Sequence, residues 1–273
     1  MGFATVTHLP VSTTHAIVGA LIGAGTVFAP AAIHWSVLLG SVAVPLLASV
    51  VVSYTLSAGL NLLRLGVPEC TCLEVTATDP SRLSSPPVMF ATSGVPLPMV
   101  RVMTGREAVC RVHGTGATRI GVNLTGMHWL TSGATSFARG LNDTPKILAI
   151  GAFVGPSLGL APRTLLVVVA ASMALGGLIG GVRVARVLGD KVIRMSHHEG
   201  FKANLTTALL VGVGAHLGLP MSTTHVATGA ITGMAGTNPS RLNRRLLRDF
   251  ALAWTVTPLV AGLVAASVFA IIR

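Results

Sequence analysis

Two stretches of this chain open an apolar run in the same unusual way. LPVSTTHAIVGALIG occupies 9–23 and LPMSTTHVATGAITG occupies 219–233. Offset by 210 positions, Leu9, Pro10, Ser12, Thr13, Thr14, His15, Gly19, Ala20 and Gly23 match Leu219, Pro220, Ser222, Thr223, Thr224, His225, Gly229, Ala230 and Gly233. A chain that writes one helix start twice folds it twice, so an internal repeat is the first constraint on the architecture. The similarity runs on downstream, where VAVPLLASVV around Pro45 echoes WTVTPLVAGLV around Pro258.

What surrounds the repeats decides the solvent. Of 273 residues, 51% are hydrophobic and only 10% charged, and the mean hydropathy is +0.75. Soluble domains carry about 25% charged residues. A chain this poor in charge cannot clothe a globular surface, so an all-α integral membrane protein is expected. The start, MGFATVTHLPV, has no basic segment and no small-residue cleavage site, so no signal peptide is expected. Apolar segments are read at 11–29, 36–60, 126–154, 163–182, 203–217, 221–236 and 250–272. Those at 36–60, 163–182 and 250–272 reach the roughly 20 residues that cross a bilayer. The pair at 203–217 and 221–236 is short and split by Gly218-Leu219-Pro220. It reads as half-helices or a re-entrant hairpin.

The net charge of +11 comes from loops. Arg183, Arg186, Lys191, Arg194 and Lys202 form one cluster, and Arg241, Arg244, Arg245 and Arg248 another. Such clusters mark cytoplasmic loops, and no nucleic-acid partner is expected. The same rule makes the polar stretch 64–125 cytoplasmic and sends the first Ser-Thr-Thr-His segment outward and the second inward. Similar sequences in opposite orientations are the plan of inverted-repeat secondary transporters, which use broken helices.

The repeated motif has a chemical reading. Proline presets the first turn, and Ser12 or Ser222 caps it. The first turn then offers free N–H groups and two threonine hydroxyls at the positive end of a helix dipole, which suits an oxyanion. Where a capping box would put Glu or Gln, the chain has His15 and His225, so no carboxylate competes for those N–H groups. The alternative is that Ser and Thr only cap a buried helix end. Gly19, Gly23, Gly229 and Gly233 form small faces for close helix packing in lipid.

The stretch SFARGLNDTPKILAIG, 136–151, places Asn142 and Asp143 inside an apolar segment. An ionisable residue at membrane depth is a functional-site hypothesis. Both side chains supply hard oxygens for a small cation, and Gly140 with Pro145 would let the helix unwind there. If the helix stays intact, Arg139, Asp143 and Lys146 share a face, and a buried ion pair is the plainer reading.

LPVSTTHAIVGA, SFARGLNDTPK and GLPMSTTH, in that order, resemble the signatures of the inorganic phosphate transporter (PiT) family. The resemblance covers nearly the whole chain apart from 64–125. It implies an inverted-repeat symporter in the cytoplasmic membrane, multi-pass, that moves inorganic phosphate with Na+ or H+ and holds no tight cofactor. It implies that Ser12, Thr13, Thr14, Asn142, Asp143, Thr144, Ser222, Thr223 and Thr224 bind substrate. Asp143, Asn142, Asn204 and Thr207 would take the coupling cation. Sulfate, also tetrahedral and anionic, is the rival substrate.

Two departures from the family pattern bear on completeness and on ions. Members carry an earlier Asn-Asp motif in the N-terminal repeat, and this chain begins at the second half of that repeat. The expectation is a truncated frame, a wrongly assigned start or a split transporter, and so a fragment that transports only with a missing N-terminal half or as a homodimer. Asn204 stands where many relatives have glutamate. The expected domains are 1–63, the remainder of the first repeat; 64–125, a cytoplasmic insert; and 126–273, the second repeat. In the insert, alternation in CLEVTAT and AVCRVHG suggests short strands. Cys70, Cys72, Cys110 and His113 are candidate zinc ligands, with ordinary free cysteines the plainer expectation in a reducing compartment. Nothing marks a catalytic triad, so no enzyme is expected; membrane lipid is the remaining partner.

Overall fold

The structure, a computed structural model, describes residues 11–63, 69–76, 99–105 and 119–272. It divides into two units, Met1–Leu65 with Thr131–Arg273, and Gly66–Leu130. Leu9, Pro10 and the AVCRVHG stretch lie outside the described residues.

In the smaller unit, β1 (Cys70–Thr76) is central to an antiparallel sheet of order β2-β1-β3, with β2 at Met99–Gly105 and β3 at Arg119–Asn123. The strand expected in CLEVTAT is β1. Cys70 faces Gly105 on one side and Asn123 on the other. It is buried and disulfide-bonded. That corrects the expectation of free or zinc-binding cysteines for Cys70, because a sulfur already in a disulfide has no thiolate to give a metal. Cys110 and His113 lie outside the described residues.

The larger unit is helical. Its elements are α1 (Thr13–Phe28), α2 (Val44–Leu62), α3 (Leu124–Val154, whose first turns belong to the smaller unit), α4 (Pro162–Arg186), α5 (His197–His216), α6 (Thr223–Gly233) and α7 (Arg244–Ile272). Three helical stretches, Trp35–Leu62, Pro162–Val182 and Arg244–Ile272, are long and apolar enough to cross a membrane. None of the most apolar window of the last is buried within the protein, so its side chains are left for lipid. α6 is the opposite case. At 11 residues it is about 16 Å long, too short to span, and Val226, Ala230 and His225 are almost wholly buried. A turn at Gly218, with φ of 67°, separates it from α5.

Proline shapes two helices differently. A π-helical stretch, Leu38–Ala43, leads into α2 just before Pro45, whose nitrogen has no proton for the preceding turn. α3 runs unbroken through Pro145. The expected unwinding at Gly140–Pro145 does not occur; proline's missing N–H leaves only the Leu141 carbonyl without its helical donor.

The repeats pack crosswise. A Cβ on Gly19 would overlap the Pro258 carbonyl, and one on Gly23 the Gly262 carbonyl, so α1 lies backbone to backbone on α7. On the other side, a Cβ on Gly229 would strike the Val50 carbonyl and one on Gly233 the Tyr54 carbonyl, which puts α6 on α2. Each short helix thus docks on the long helix of the other repeat. The pairing corrects one alignment: Val50 and Tyr54 take the places of Pro258 and Gly262, 208 positions later, so Pro45 and Pro258 are not equivalent. Contact geometry, not the shared proline, sets the register. Ser57 Oγ donates to the Ala230 carbonyl at 2.6 Å and Asn61 Nδ2 to the Met234 carbonyl at 3.2 Å, interhelical bonds of the kind that fasten helices in lipid.

Candidate functional site

The two helix starts meet. Ser12 caps α1 and Ser222 caps α6, each Oγ accepting from the N–H of His15 or His225 at 3.3 Å. The two cap hydroxyls bond each other at 2.9 Å, and Ser222 Oγ also bonds Thr224 Oγ1 at 3.0 Å. Ser12, Thr14, Ser222 and Thr223 are all buried. Two positive helix ends therefore converge on one spot, with hydroxyls between them.

α3 brings its polar pair to the same place. Asn142 is buried, and its Nδ2 donates to the Met221 carbonyl at 2.9 Å and to Asp143 Oδ1 at 2.9 Å. Met221 is the last residue before the Ser222 cap, in the non-helical stretch between α5 and α6. Thr14 Oγ1 donates to the same carbonyl at 3.2 Å. Lys146 completes the cluster: its Nζ donates to Met221 O at 2.9 Å and to Thr14 Oγ1 at 3.0 Å, and lies 3.4 Å from Asp143 Oδ1. The ion pair expected from helical spacing thus forms, and the same ammonium ties α3 to α1 and to the stretch before α6.

Other expected residues fall elsewhere. Thr13 is exposed. Thr144 Oγ1 turns to Met173 Sδ on α4, at 3.6 Å. Asn204 donates to Ser132 Oγ at 2.8 Å, and its carbonyl accepts from Thr135 Oγ1 at 3.0 Å. Ser132 and Asp143 stand eleven residues apart on α3, about 16 Å along a helix, so Asn204 is not brought to Asp143. Thr207 bonds its own helix at the Ala203 carbonyl. Lys146 and the Met221 carbonyl were not among the residues expected to bind ligand. Lys146 had a signal, its spacing from Asp143. The carbonyl had only its position between Pro220 and Ser222.

The histidine rings of the motif lie against each other at a tilt of 50°. The His15 and His225 rings are 4.7 Å apart, and His225 lies 4.0 Å from Trp254. His225 Nδ1 donates to the Leu46 carbonyl at 3.0 Å, which orients the ring. An apolar cavity of about 490 Å³ opens beside them, walled by Val18, Leu38, Leu46, Trp254 and Pro258. Apolar walls offer an anion nothing, so the polar cluster at the caps is the candidate site and the cavity is not. Among the described residues, no group of three or more His, Cys, Asp or Glu is placed to hold a metal.

Comparison with known proteins bears on the family and the fold. The chain is 26% identical to a protein named as a phosphate permease in Pyrococcus abyssi, over 98% of this chain and 74% of that one. It is 27% identical to another so named in Thermococcus kodakarensis, with the same coverage. A shorter match, 32% over 36% of this chain and 20% of the other, is to a low-affinity inorganic phosphate transporter of Escherichia coli. A solved structure described as the sodium-dependent phosphate transporter superposes with a TM-score of 0.68 at 21% identity, over 99% of this chain and 75% of that chain; this likeness speaks to the fold. The model of the phosphate transporter family matches residues 1–265. A membrane protein with two inverted repeats whose capped helix starts meet at one polar cluster, and whose sequence matches that model almost end to end, belongs to the phosphate transporter family.

Proposed function

We propose that this chain moves inorganic phosphate across the cytoplasmic membrane together with Na+. The observation that carries the reading is the meeting of the Ser12 and Ser222 caps beside Asp143. Phosphate is held at the two helix starts by backbone N–H groups, by the hydroxyls of Ser12, Thr14, Ser222 and Thr224, and by Lys146. Asp143, Asn142 and the Met221 carbonyl offer oxygens to the cation. Relatives named for phosphate, and a fold neighbour named for sodium dependence, support the choice of both ions. In this orientation both basic clusters face the cytoplasm.

Phosphate is preferred to sulfate on chemical grounds. Near neutral pH phosphate still carries a hydroxyl, which can donate to Asp143 or to the Met221 carbonyl. Sulfate only accepts, and would set its oxygens against that carboxylate unpaired. A site built around an acceptor rejects the anion that lacks the donor.

The test is reconstitution of residues 1–273 in liposomes with labelled phosphate and an imposed Na+ gradient. Accumulation driven by the gradient, resistant to a tenfold excess of sulfate, is expected, in contrast to the expectation from the family pattern that this chain transports only with a partner. Asp143→Asn removes the carboxylate and is expected to cut coupled uptake by at least about tenfold, as loss of a charge at membrane depth implies. Uptake that keeps its Na+ dependence in Asp143→Asn would overturn the cation assignment. Failure of phosphate to bind, read by calorimetry, would overturn the anion assignment.

A further inference from the structure

The ammonium of Lys146 sits among the oxygens a small cation would choose. Its partners are the Thr14 hydroxyl at 3.0 Å, the Met221 carbonyl at 2.9 Å and the Asp143 carboxylate at 3.4 Å. All three are hard donors of the sort that bind alkali and alkaline-earth ions. They come from α1, from the stretch before α6, and from α3. The Met221 carbonyl is crowded with donors: Lys146 Nζ at 2.9 Å, Asn142 Nδ2 at 2.9 Å and Thr14 Oγ1 at 3.2 Å. That is three donors on an oxygen with two lone pairs. Positive charge is being drawn to this one oxygen, and Lys146 supplies it.

We propose that Lys146 is a built-in competitor for the coupling cation, holding the cation's oxygens until phosphate draws the ammonium away. The proposal rests on the phosphate and Na+ reading above. Lysine carries its point charge on a flexible four-carbon stem and can swing between partners. Its present partner Thr14 lies two residues after the Ser12 cap, so an anion seated at the caps is within reach of the same ammonium. A phosphate outbids a hydroxyl and a carbonyl for it, since attraction between opposite full charges in a low dielectric exceeds that between a charge and a dipole. When Lys146 turns to the anion, Asp143 is left without its counter-charge and the Met221 carbonyl loses a donor. A cation then fills the place. Anion binding thus raises cation affinity, and by linkage the cation raises anion affinity equally. The cation alone meets a site already closed by the protein's own charge, which disfavours uncoupled cation leak.

The experiment is equilibrium binding of radiolabelled Na+ to purified residues 1–273 in lipid nanodiscs, with and without inorganic phosphate. For the unaltered chain, phosphate is expected to raise Na+ affinity by about tenfold or more, within the usual span of coupling between sites. Lys146→Gln and Lys146→Met are expected to bind Na+ without phosphate about as tightly as the unaltered chain does with it. Added phosphate should then change their Na+ affinity by less than about twofold. Two results overturn the proposal: either variant retaining the full phosphate dependence, or the unaltered chain binding Na+ equally well in both conditions while phosphate binds. The Na+ affinity of the variants is read without phosphate, so it tests Lys146 by itself. Absence of phosphate binding by calorimetry would instead sink the functional reading.

Discussion

Ser12 Oγ serves two partners and Ser222 Oγ three, the third being Thr224 Oγ1. Each Oγ accepts from the backbone N–H three residues on and also meets the other serine. Loss of a cap of this kind costs about 1 kcal/mol. The double variant Ser12→Ala, Ser222→Ala should therefore melt earlier, and it should also lose phosphate affinity, because two hydroxyls leave the site. A hydrogen bond to a charged group is worth about 1.5–3 kcal/mol, so a fall of at least tenfold is expected in a calorimetric titration. A lowered melting temperature with unchanged phosphate affinity would leave the serines as caps and nothing more. Position alone separates these serines from the many others in apolar helices: Ser49, Ser53 and Ser57 are just as buried but bond backbone carbonyls on α2 or α6.

At the scale of elements, the crossings of α1 with α7 and of α6 with α2 leave no room for a side chain. Gly19→Leu or Gly233→Leu must push backbone against backbone, and overpacking of this kind costs about 1–3 kcal/mol or more. Gly177 on α4 is the control, since a Cβ there meets nothing within 4 Å. Gly177→Leu should leave the yield of folded protein in detergent unchanged, whereas Gly19→Leu and Gly233→Leu should lower it sharply. Equal yields for all three would show that the crossings can slide apart without cost. The small-residue spacing was legible in the chain, but the partners were not. Which helix a glycine meets depends on how the repeats interleave, and the echo around Pro45 and Pro258 pointed to a register that the carbonyls at Val50 and Tyr54 replace.

For the molecule as a whole, one clamp joins several helix ends. Glu199 caps α5 with Ser196, and its carboxylate receives Arg241 at 2.7 and 3.1 Å. Arg241 also reaches the carbonyls of Arg194 and Met234. Burial pushes the Glu199 carboxyl up, but hydrogen bonds from Arg241 and Ser196 and the Arg241 charge outweigh it and hold the group below the ordinary carboxylate range. A depressed carboxylate stabilises the fold above its unfolded pKa, and that contribution is lost as pH falls through the folded value. Acid below the usual carboxylate range should therefore loosen this junction. Hydrogen-exchange protection over 192–200, taken relative to the intrinsic rate at each pH, should fall on acidification in the unaltered chain and be low already at neutral pH in Glu199→Gln. Identical pH profiles for the two proteins would remove Glu199 from the account.

The sequence by itself determined the membrane class, the three long spans, the paired helix starts and the polar step at Asn142 and Asp143. These are local facts: apolar length, capping chemistry and the cost of a carboxylate in lipid are all carried by neighbours in the chain. It misjudged features that depend on distant contacts. α3 stays helical through Pro145 because a single lost N–H does not break a packed helix, and Asn204 is held by Ser132 some turns away from Asp143. Only the tertiary structure brought Ser12 against Ser222, set Lys146 across Asp143, Thr14 and the Met221 carbonyl, and made that carbonyl a focus of donors. A backbone carbonyl has no sequence signature, and residues 210 positions apart touch only after the repeats have crossed. That crossing is set by backbone packing between glycine-lined helices.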